Sequence, residues 1–248
     1  MPKPDLTNQF FDIKPLKNWG ILWFPISMTN INTKQSVGDC IKWIEFFGTK
    51  AGEPKIGINL TYCDFLYLNS GEPASELKEK FMHQMVSHIN GVKRILHKKR
   101  KIFQIQHAFH SETWGNLYLE IEGDFNEFFK KVKEFYKKDK LFQKYINEDA
   151  RFFNRKLSEE QLNFFLEEDL MVYLVLYGKV KFRNEYVQGR EKWILISYPG
   201  VPPKSVVYFV QKNPFKFKTG NPYLGQYNLK NKKFYDYNNF DLETWNYD

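Results

Sequence analysis

Gly20-Ile21-Leu22-Trp23-Phe24-Pro25-Ile26-Ser27-Met28-Thr29-Asn30 decides the fold: a nearly unbroken apolar run gives way at Ser27 to small hydroxyl and amide residues. Such a run over residues 20–27 reads as a strand buried on both faces, as in a parallel sheet covered by helices. Beyond the polar loop 29–36, Ser36 caps a predicted helix to Phe47, with Val37, Ile41, Ile44 and Phe47 at helical spacing and Gly48 closing it. A turn at Gly52-Glu53-Pro54 leads to a second strand, Lys55 to Thr61. Strand, helix, strand at this spacing is a βαβ unit and implies a parallel sheet. Ligands of open α/β sheets sit at the carboxyl ends of the strands, where Ser27 stands. A serine in that position is otherwise a turn residue or a helix cap.

The 248 residues fit one large domain, 1–248, with 1–18 as an irregular leader broken by Pro2, Pro4 and Pro15 and 213–248 as an aromatic tail rich in Asn and Lys. That tail packs as an irregular cover or is partly mobile. Apolar residues make up 42%, with 24 Phe and 15 Tyr, which excludes a disordered chain. The net charge of +8 favours a polyanionic partner. Two cysteines, Cys40 and Cys63, argue against a disulfide scaffold and suit a reducing compartment. The longest apolar run, Leu170 to Tyr177, is too short to span a bilayer. The expectation is a soluble, cytoplasmic protein.

Further on, Glu76 to Lys101 reads as a helix with one core-facing stripe, Leu77, Phe81, Met85, Ile89, Val92 and Leu96. Its end carries six basic residues in nine positions, Lys93, Arg94, Lys98, Lys99, Arg100 and Lys101, with no acidic residue between Lys80 and Glu112. The helix dipole accounts for one or two cations there; six point to a phosphate backbone. Ile102 to Gln106 and Asn116 to Ile121 read as strands. His107 and His110 have HxxH spacing without further ligands nearby, so no metal is expected. Asp124 to Phe153 is a helical region broken near Asp139, its many lysines interleaved with acids as a solvated face. Ser158 caps a helix from Glu159 to Tyr177, with Gln161 completing a capping box. Phe164 and Glu168 share one of its faces. A polar insertion, 178–191, precedes the strand Lys192 to Tyr198, which Pro199 stops. No GxxxxGK[ST], GxGxxG or GxSxG pattern occurs.

A strand-end Ser27, a helix-borne Glu168 and a strand-end Tyr198, beside a basic helix, supply a nucleophile, an anchor for a cation, a proton-transfer group and a polyanion track. No histidine pairs obviously with Ser27, so the serine suits an activated ester better than an amide. In this order and spacing, Ile26-Ser27-Met28-Thr29-Asn30, Trp43 with the Gly48 region, Lys55 to Gly71, the basic helix, Gln161 to Glu168 and Ile196-Ser197-Tyr198-Pro199 resemble the tRNA-dependent cyclodipeptide synthases, in their Tyr-Pro subgroup. The resemblance spans roughly residues 19–212. Phe164 and Phe125 stand where the family carries tyrosines, and Asn30 beside Tyr-Pro combines features of its two subgroups.

The resemblance implies a monomeric Rossmann-like α/β domain, a parallel central sheet flanked by helices, similar to the catalytic domains of class I aminoacyl-tRNA synthetases. It implies an aminoacyltransferase that joins the amino acids of two aminoacyl-tRNAs into a 2,5-diketopiperazine through an ester on Ser27. Glu168 would bind the ammonium, Tyr198 relay protons or orient the ester, and Asn30 hydrogen-bond the substrate. Phe164 and Pro199 would border the substrate, and Trp23, Pro25, Met171 and Ile196 would line the first amino-acid pocket. A tryptophan there fills space, which favours a small first residue such as Ala. The six basic residues of the helix end would bind tRNA. No cofactor, ATP site, metal or membrane is implied. Two other readings remain at this stage: an RNA-binding protein without chemistry, and a different serine-dependent acyltransferase or hydrolase.

Overall fold

In the computed structural model the described residues are 10–11, 19–28, 30–51, 56–63, 74–99, 109–183 and 191–247. The strands are β1 (Phe10–Phe11), β2 (Gly20–Ile26), β3 (Ile56–Tyr62), β4 (Phe109–Thr113), β5 (Trp193–Tyr198), β6 (Gly225–Asn228) and β7 (Lys233–Asp236). The helices are α1 (Val37–Ala51), α2 (Ala74–Lys98), α3 (Trp114–Leu117), α4 (Phe125–Lys138), α5 (Lys140–Phe152), α6 (Glu159–Leu176) and α7 (Lys204–Lys212). The fold is α/β with a mostly parallel sheet, in two compact units: Ile13–Glu120 with Lys181–Pro199, and Met1–Asp12 with Ile121–Val180 and Gly200–Asp248.

The unit that contains the opening stretch is built on β2. Its strands lie in the order β4-β3-β2-β5, each pair parallel. The chain runs outward from β2 through α1 to β3 and through α2 to β4, and later adds β5 on the other side of β2. Direction of progress therefore reverses between β2 and β5, a topological switch point. β2 and β3 are buried along almost their whole length, as a sheet covered on both faces requires. Leu22, Phe24 and Ile26 face α1, where Trp43 and Phe47 pack on the Phe24 ring. The helices in turn approach closely: a Cβ on Gly91 of α2 would lie 2.8 Å from Val37. The predicted stripe of α2 ends in the buried Val92 and Leu96, while Phe81, Met85 and Ile89 are half-buried.

Several sequence expectations need correction. Gly48 does not close α1, which runs on to Ala51, because one helical glycine costs only about 1 kcal/mol against alanine. Asn116 to Ile121 is not a strand. Thr113 accepts the Asn116 N–H at 3.3 Å and turns the chain into α3 and a 3₁₀ turn, Tyr118–Glu120. The real strand there is β4, just before it; Ile102 to Gln106 lies outside the described residues. The supposedly irregular leader holds β1, which pairs with β7.

In the other unit, α4 and α5 are separated at Asp139, which accepts the Phe142 N–H at 2.9 Å as the N-cap of α5. Phe135, Phe142, Tyr173, Phe209 and Phe215 pack ring on ring among α4, α5, α6 and α7. Ser158 caps α6, accepting from Gln161 N–H at 3.2 Å. The reciprocal half of the expected capping box is missing, since Gln161 Oε1 has no partner. The tail is not an irregular cover: β6 and β7 form an antiparallel hairpin, and Tyr227, Phe234, Tyr235, Tyr237 and Trp245 are buried.

Gly20 opens β2 because nothing larger fits. It pairs with Trp193 of β5, and a Cβ would stand 1.9 Å from the indole. We expect Gly20→Ala to lower the free energy of unfolding by about 1–3 kcal/mol in denaturant titrations, the cost of overpacking a tight core. A change below about 0.5 kcal/mol, the range of neutral surface substitutions, would contradict this contact.

Candidate active site

The ladder between β2 and β5 has the registers Gly20↔Trp193 to Trp23↔Ile196 and goes no further. Its next step would need N–H groups from Pro25 and Pro199, and proline has none. The strands part at their carboxyl ends, and the carboxamide of Gln35 enters the gap. Its Nε2 donates to Pro25 O at 2.7 Å and its Oε1 accepts from Ser27 N–H at 2.8 Å, as a neighbouring strand's peptide group would. On the other side Cys63 N–H donates to Ile26 O at 3.0 Å. Ser27 is thereby fixed at the backbone on both edges of β2.

Gln35 is itself held from behind. Its N–H donates to Asn30 O at 2.9 Å, and its carbonyl accepts from His88 Nε2 at 2.9 Å. His88 Nδ1 then accepts from the Tyr62 hydroxyl at 2.8 Å. Burial pushes the His88 pKa down, which keeps the ring neutral with its proton on Nε2. The loop also brings Asn30 to β5: Asn30 Nδ2 donates to Tyr198 Oη at 3.3 Å. Three expected site residues, Ser27, Asn30 and Tyr198, thus meet at the switch point between β2 and β5.

Trp23, Pro25, Ile196 and Tyr198 occupy one face of the sheet, as alternation along β2 and β5 requires. Trp23 is wholly buried, its ring 6.0 Å from those of Trp114 and Phe182. On the same face a buried polar chain begins at the Trp23 indole, which donates to Thr61 Oγ1 at 2.8 Å. Thr61 donates to Asn59 Oδ1 at 2.8 Å, and Asn59 Nδ2 to Glu112 Oε1 at 2.5 Å. Glu112 Oε2 has no partner. Burial, opposed by the Asn59 bond, pushes the Glu112 carboxyl up to about 7.

Phe164, Glu168 and Met171 lie on α6, in the other unit. Their spacing, i, i+4 and i+7, sets them on one helical face. Burial pushes the Glu168 carboxyl up to about 7 against the opposite pull of Arg155, whose guanidinium sits 4.5 Å from the Phe164 ring centroid. The adjacent Asp169 is deeply buried, with one oxygen on Ser205 Oγ at 3.0 Å and the other without a partner. Pro199 follows β5 and is half-buried. Lys93, Arg94 and Lys98 project from α2 into solvent. The expectation of a cluster without counter-charge is corrected at Lys99, whose ammonium pairs with Glu45 of α1. Arg100 and Lys101 lie outside the described residues. Among those described, no group of His, Cys, Asp and Glu is arranged to hold a metal ion, and no helix is long and apolar enough to cross a membrane.

The sequence reading missed Gln35, His88, Asn59, Glu112 and Arg155. One signal was available for His88: it lies three residues after Met85 and four before Val92, within the apolar stripe. For Glu112, the native state binds more protons than the unfolded chain between the ordinary value of 4.5 and about 7, so stability falls as pH rises through that window. The loss above it is roughly 3 kcal/mol. Glu112→Gln keeps the acceptor for Asn59 and is expected to unfold with a flatter pH dependence and to exceed the wild type in stability at pH 8. Equal pH slopes for the two proteins would show that this carboxyl does not titrate in the window.

No protein-family model and no curated protein matches the chain. Solved structures do. A cyclodipeptide synthase from Staphylococcus haemolyticus matches with a TM-score of 0.54 at 15% identity, over 85% of this chain and 94% of that one. One from Bacillus thermoamylovorans matches at 0.53 and 16% identity, over 88% and 94%. One from Candidatus Glomeribacter gigasporarum, bound to Phe-tRNAPhe, matches at 0.53 and 14% identity, over 88% and 89%. The chain has the fold of these synthases.

Proposed function

We propose that the protein is a tRNA-dependent cyclodipeptide synthase of the Tyr-Pro subgroup. The observation that carries the proposal is the meeting of Ser27, Asn30 and Tyr198 where β2 and β5 part, in a fold shared with such synthases. Ser27 Oγ attacks the ester carbonyl of the first aminoacyl-tRNA; the acyl–oxygen bond to the RNA breaks, and the serine proton leaves with the RNA hydroxyl. Tyr198, tied to Asn30, orients the ester and relays that proton. The amine of the second aminoacyl-tRNA attacks the first tRNA-derived acyl group on Ser27. The dipeptide is passed back to the serine from the second RNA, and its own amine then closes the ring and frees Ser27. Ring closure gains from holding the amine beside the carbonyl. The ester arrives activated, so the cycle needs no ATP.

Glu168 takes the substrate ammonium, with Phe164 and Pro199 beside the substrate and Trp23, Pro25, Met171 and Ile196 lining the first amino-acid pocket. The filled space around Trp23 favours a small first residue such as Ala. Lys93, Arg94, Lys98, Lys99, Arg100 and Lys101 track the RNA phosphates, as the net charge of +8 favours. The protein acts as a cytoplasmic monomer without metal or cofactor.

Expressed in bacteria, the wild type is expected to release a cyclic dipeptide detectable by mass spectrometry, and Ser27→Ala none. Mixed with charged tRNA, the wild type gains the mass of one aminoacyl group and the variant does not. Absence of both product and adduct from the wild type overturns the proposal; tRNA binding without either favours a non-catalytic RNA-binding protein.

A second measurement concerns α2. Replacing Lys93, Arg94 and Lys98 by Gln is expected to weaken tRNA binding and to reduce the slope of log affinity against log salt by roughly two to three, about 0.7–0.9 for each lost phosphate contact. An unchanged slope removes this helix from the RNA track.

A further inference from the structure

Arg155 is not a loose surface cation. α5 ends in a paired-bond cap: Asn154 takes the left-handed conformation at φ 53°, its N–H donates to Arg151 O at 3.0 Å, and Arg155 N–H donates to Ala150 O at 2.7 Å. That arrangement fixes the two residues after the helix and the direction in which each side chain leaves the backbone. Arg155 projects onto α6, 4.5 Å from the centroid of Phe164 and 5.9 Å from that of Phe165. An aryl face attracts a guanidinium through its quadrupole and holds it flat. Phe164 has no hydroxyl to offer Glu168, one helical turn further on, so the face they share carries a ring, a carboxyl and this fixed cation.

We propose that Arg155, seated on the Phe164 ring, is a positioning residue whose fixed positive charge favours the anionic form of Glu168, the form able to receive a substrate ammonium. The inference rests on the reading of Glu168 as the ammonium site. Burial, and after it the charge of Asp149, raise the Glu168 carboxyl, and Arg155 alone among its named neighbours lowers it. The groups facing this region are Asp149 on α5, Asp169 on α6, Ser205 at the start of α7 and Tyr237 after β7. Asp149 receives the N–H groups of Lys204 and Ser205 at 2.8 Å each, so its charge is already engaged in capping α7. Arg155 is left as the cation that sets the state of Glu168. Near pH 7 a substrate ammonium then meets Glu168 already about half ionised, where without Arg155 it would meet mostly the neutral acid.

The experiment compares the wild type with Arg155→Met and Arg155→Lys. The Glu168 carboxyl is titrated in the protein alone by carbon NMR of labelled glutamate, assigned through Glu168→Gln. Cyclic dipeptide formation is followed from pH 5.5 to 8.5. Arg155→Met is expected to move the Glu168 titration, and the acid limb of kcat/KM, upward by at least about one pH unit, the effect of losing a nearby opposite charge. At pH 7 kcat/KM falls about fivefold, as the ionised fraction of Glu168 drops from about one half to about one tenth, mostly through KM, while Arg155→Lys stays near the wild type. A purely structural role for Arg155 would lower activity without moving the acid limb, and Arg155→Lys would not restore it. Identical Glu168 titration in Arg155→Met and the wild type overturns the inference. A wild type that makes no cyclic dipeptide sinks the synthase reading instead, and the NMR titration then decides the role of Arg155 by itself. Phe164→Leu, which removes the seat and keeps the charge, supplies the second variant if Arg155→Met does not fold; it is expected to shift the titration in the same direction.

Discussion

A carboxamide in place of a peptide group is the constraint on which the site depends. Where β2 and β5 part, Pro25 and Pro199 cannot donate, and Pro25 O and Ser27 N–H would face a gap. A buried backbone group without a partner costs about 1–3 kcal/mol, so an unfilled gap would either admit water or close. Gln35 meets both groups at once. It lets the two strands separate at their carboxyl ends without exposing orphaned backbone, and a parallel sheet can open there into a crevice. Its backbone is anchored by Asn30 and His88, so the wedge belongs to the same rigid assembly as the loop that brings Asn30 to Tyr198.

The parts of this arrangement that were legible in the sequence are those written in local chemistry. The apolar run to Ile26, the helix after Ser36, the second strand and the proline after Tyr198 each carry their signal within a few residues. The gap itself involves Gln35, which reads as one more polar loop residue, and its partners are eight and ten positions away across a turn. β4 escaped for a related reason. Hydrophobic periodicity finds strands whose inward residues are apolar, and Phe109-His110-Ser111-Glu112-Thr113 sends Glu112 into a buried chain with Asn59 instead. The leucines of 116–121 then offered a false alternation, although Leu119 is 76% exposed while Leu117 is buried. Arg155 was invisible on other grounds: its placement comes from a helix-ending motif completed by the left-handed Asn154, followed by a ring on the next helix.

Three carboxyls, two buried and one half-buried, illustrate how one chemistry serves different ends. Asp149 receives two backbone N–H groups and the Tyr247 hydroxyl, so its burial is offset by bonds and its work is to start α7. Glu112 receives one amide and keeps an oxygen without a partner, which lowers stability above its raised pKa. Glu168 lacks the bonds that hold Asp149, and the charge of Arg155 is its main support. A carboxyl kept incompletely satisfied retains capacity for a cation that arrives later, which is why such groups gather at sites of binding and proton transfer.

One helix links the two kinds of chemistry the proposed reaction needs. α2 sends His88 inward to the Gln35 carbonyl, one residue away from the groups that hold Ser27, and sends Lys93, Arg94 and Lys98 outward. From His88 to Lys98 the rise is about 15 Å, less than three turns, with no break in the helix. A phosphate backbone lying on the outer face would therefore be held at a fixed offset from the serine, set by helical geometry and not by a hinge. Gly91, packed against Val37 in the middle of that span, ties α2 to α1 at the closest approach their side chains permit. Lys99 pairs with Glu45 of the same α1, so the basic end of the helix is fastened at two points and its remaining cations face solvent from a rigid base. The precision of acyl transfer at Ser27 would then be inherited from packing some distance away, along a path made of one helix, one imidazole and one carboxamide.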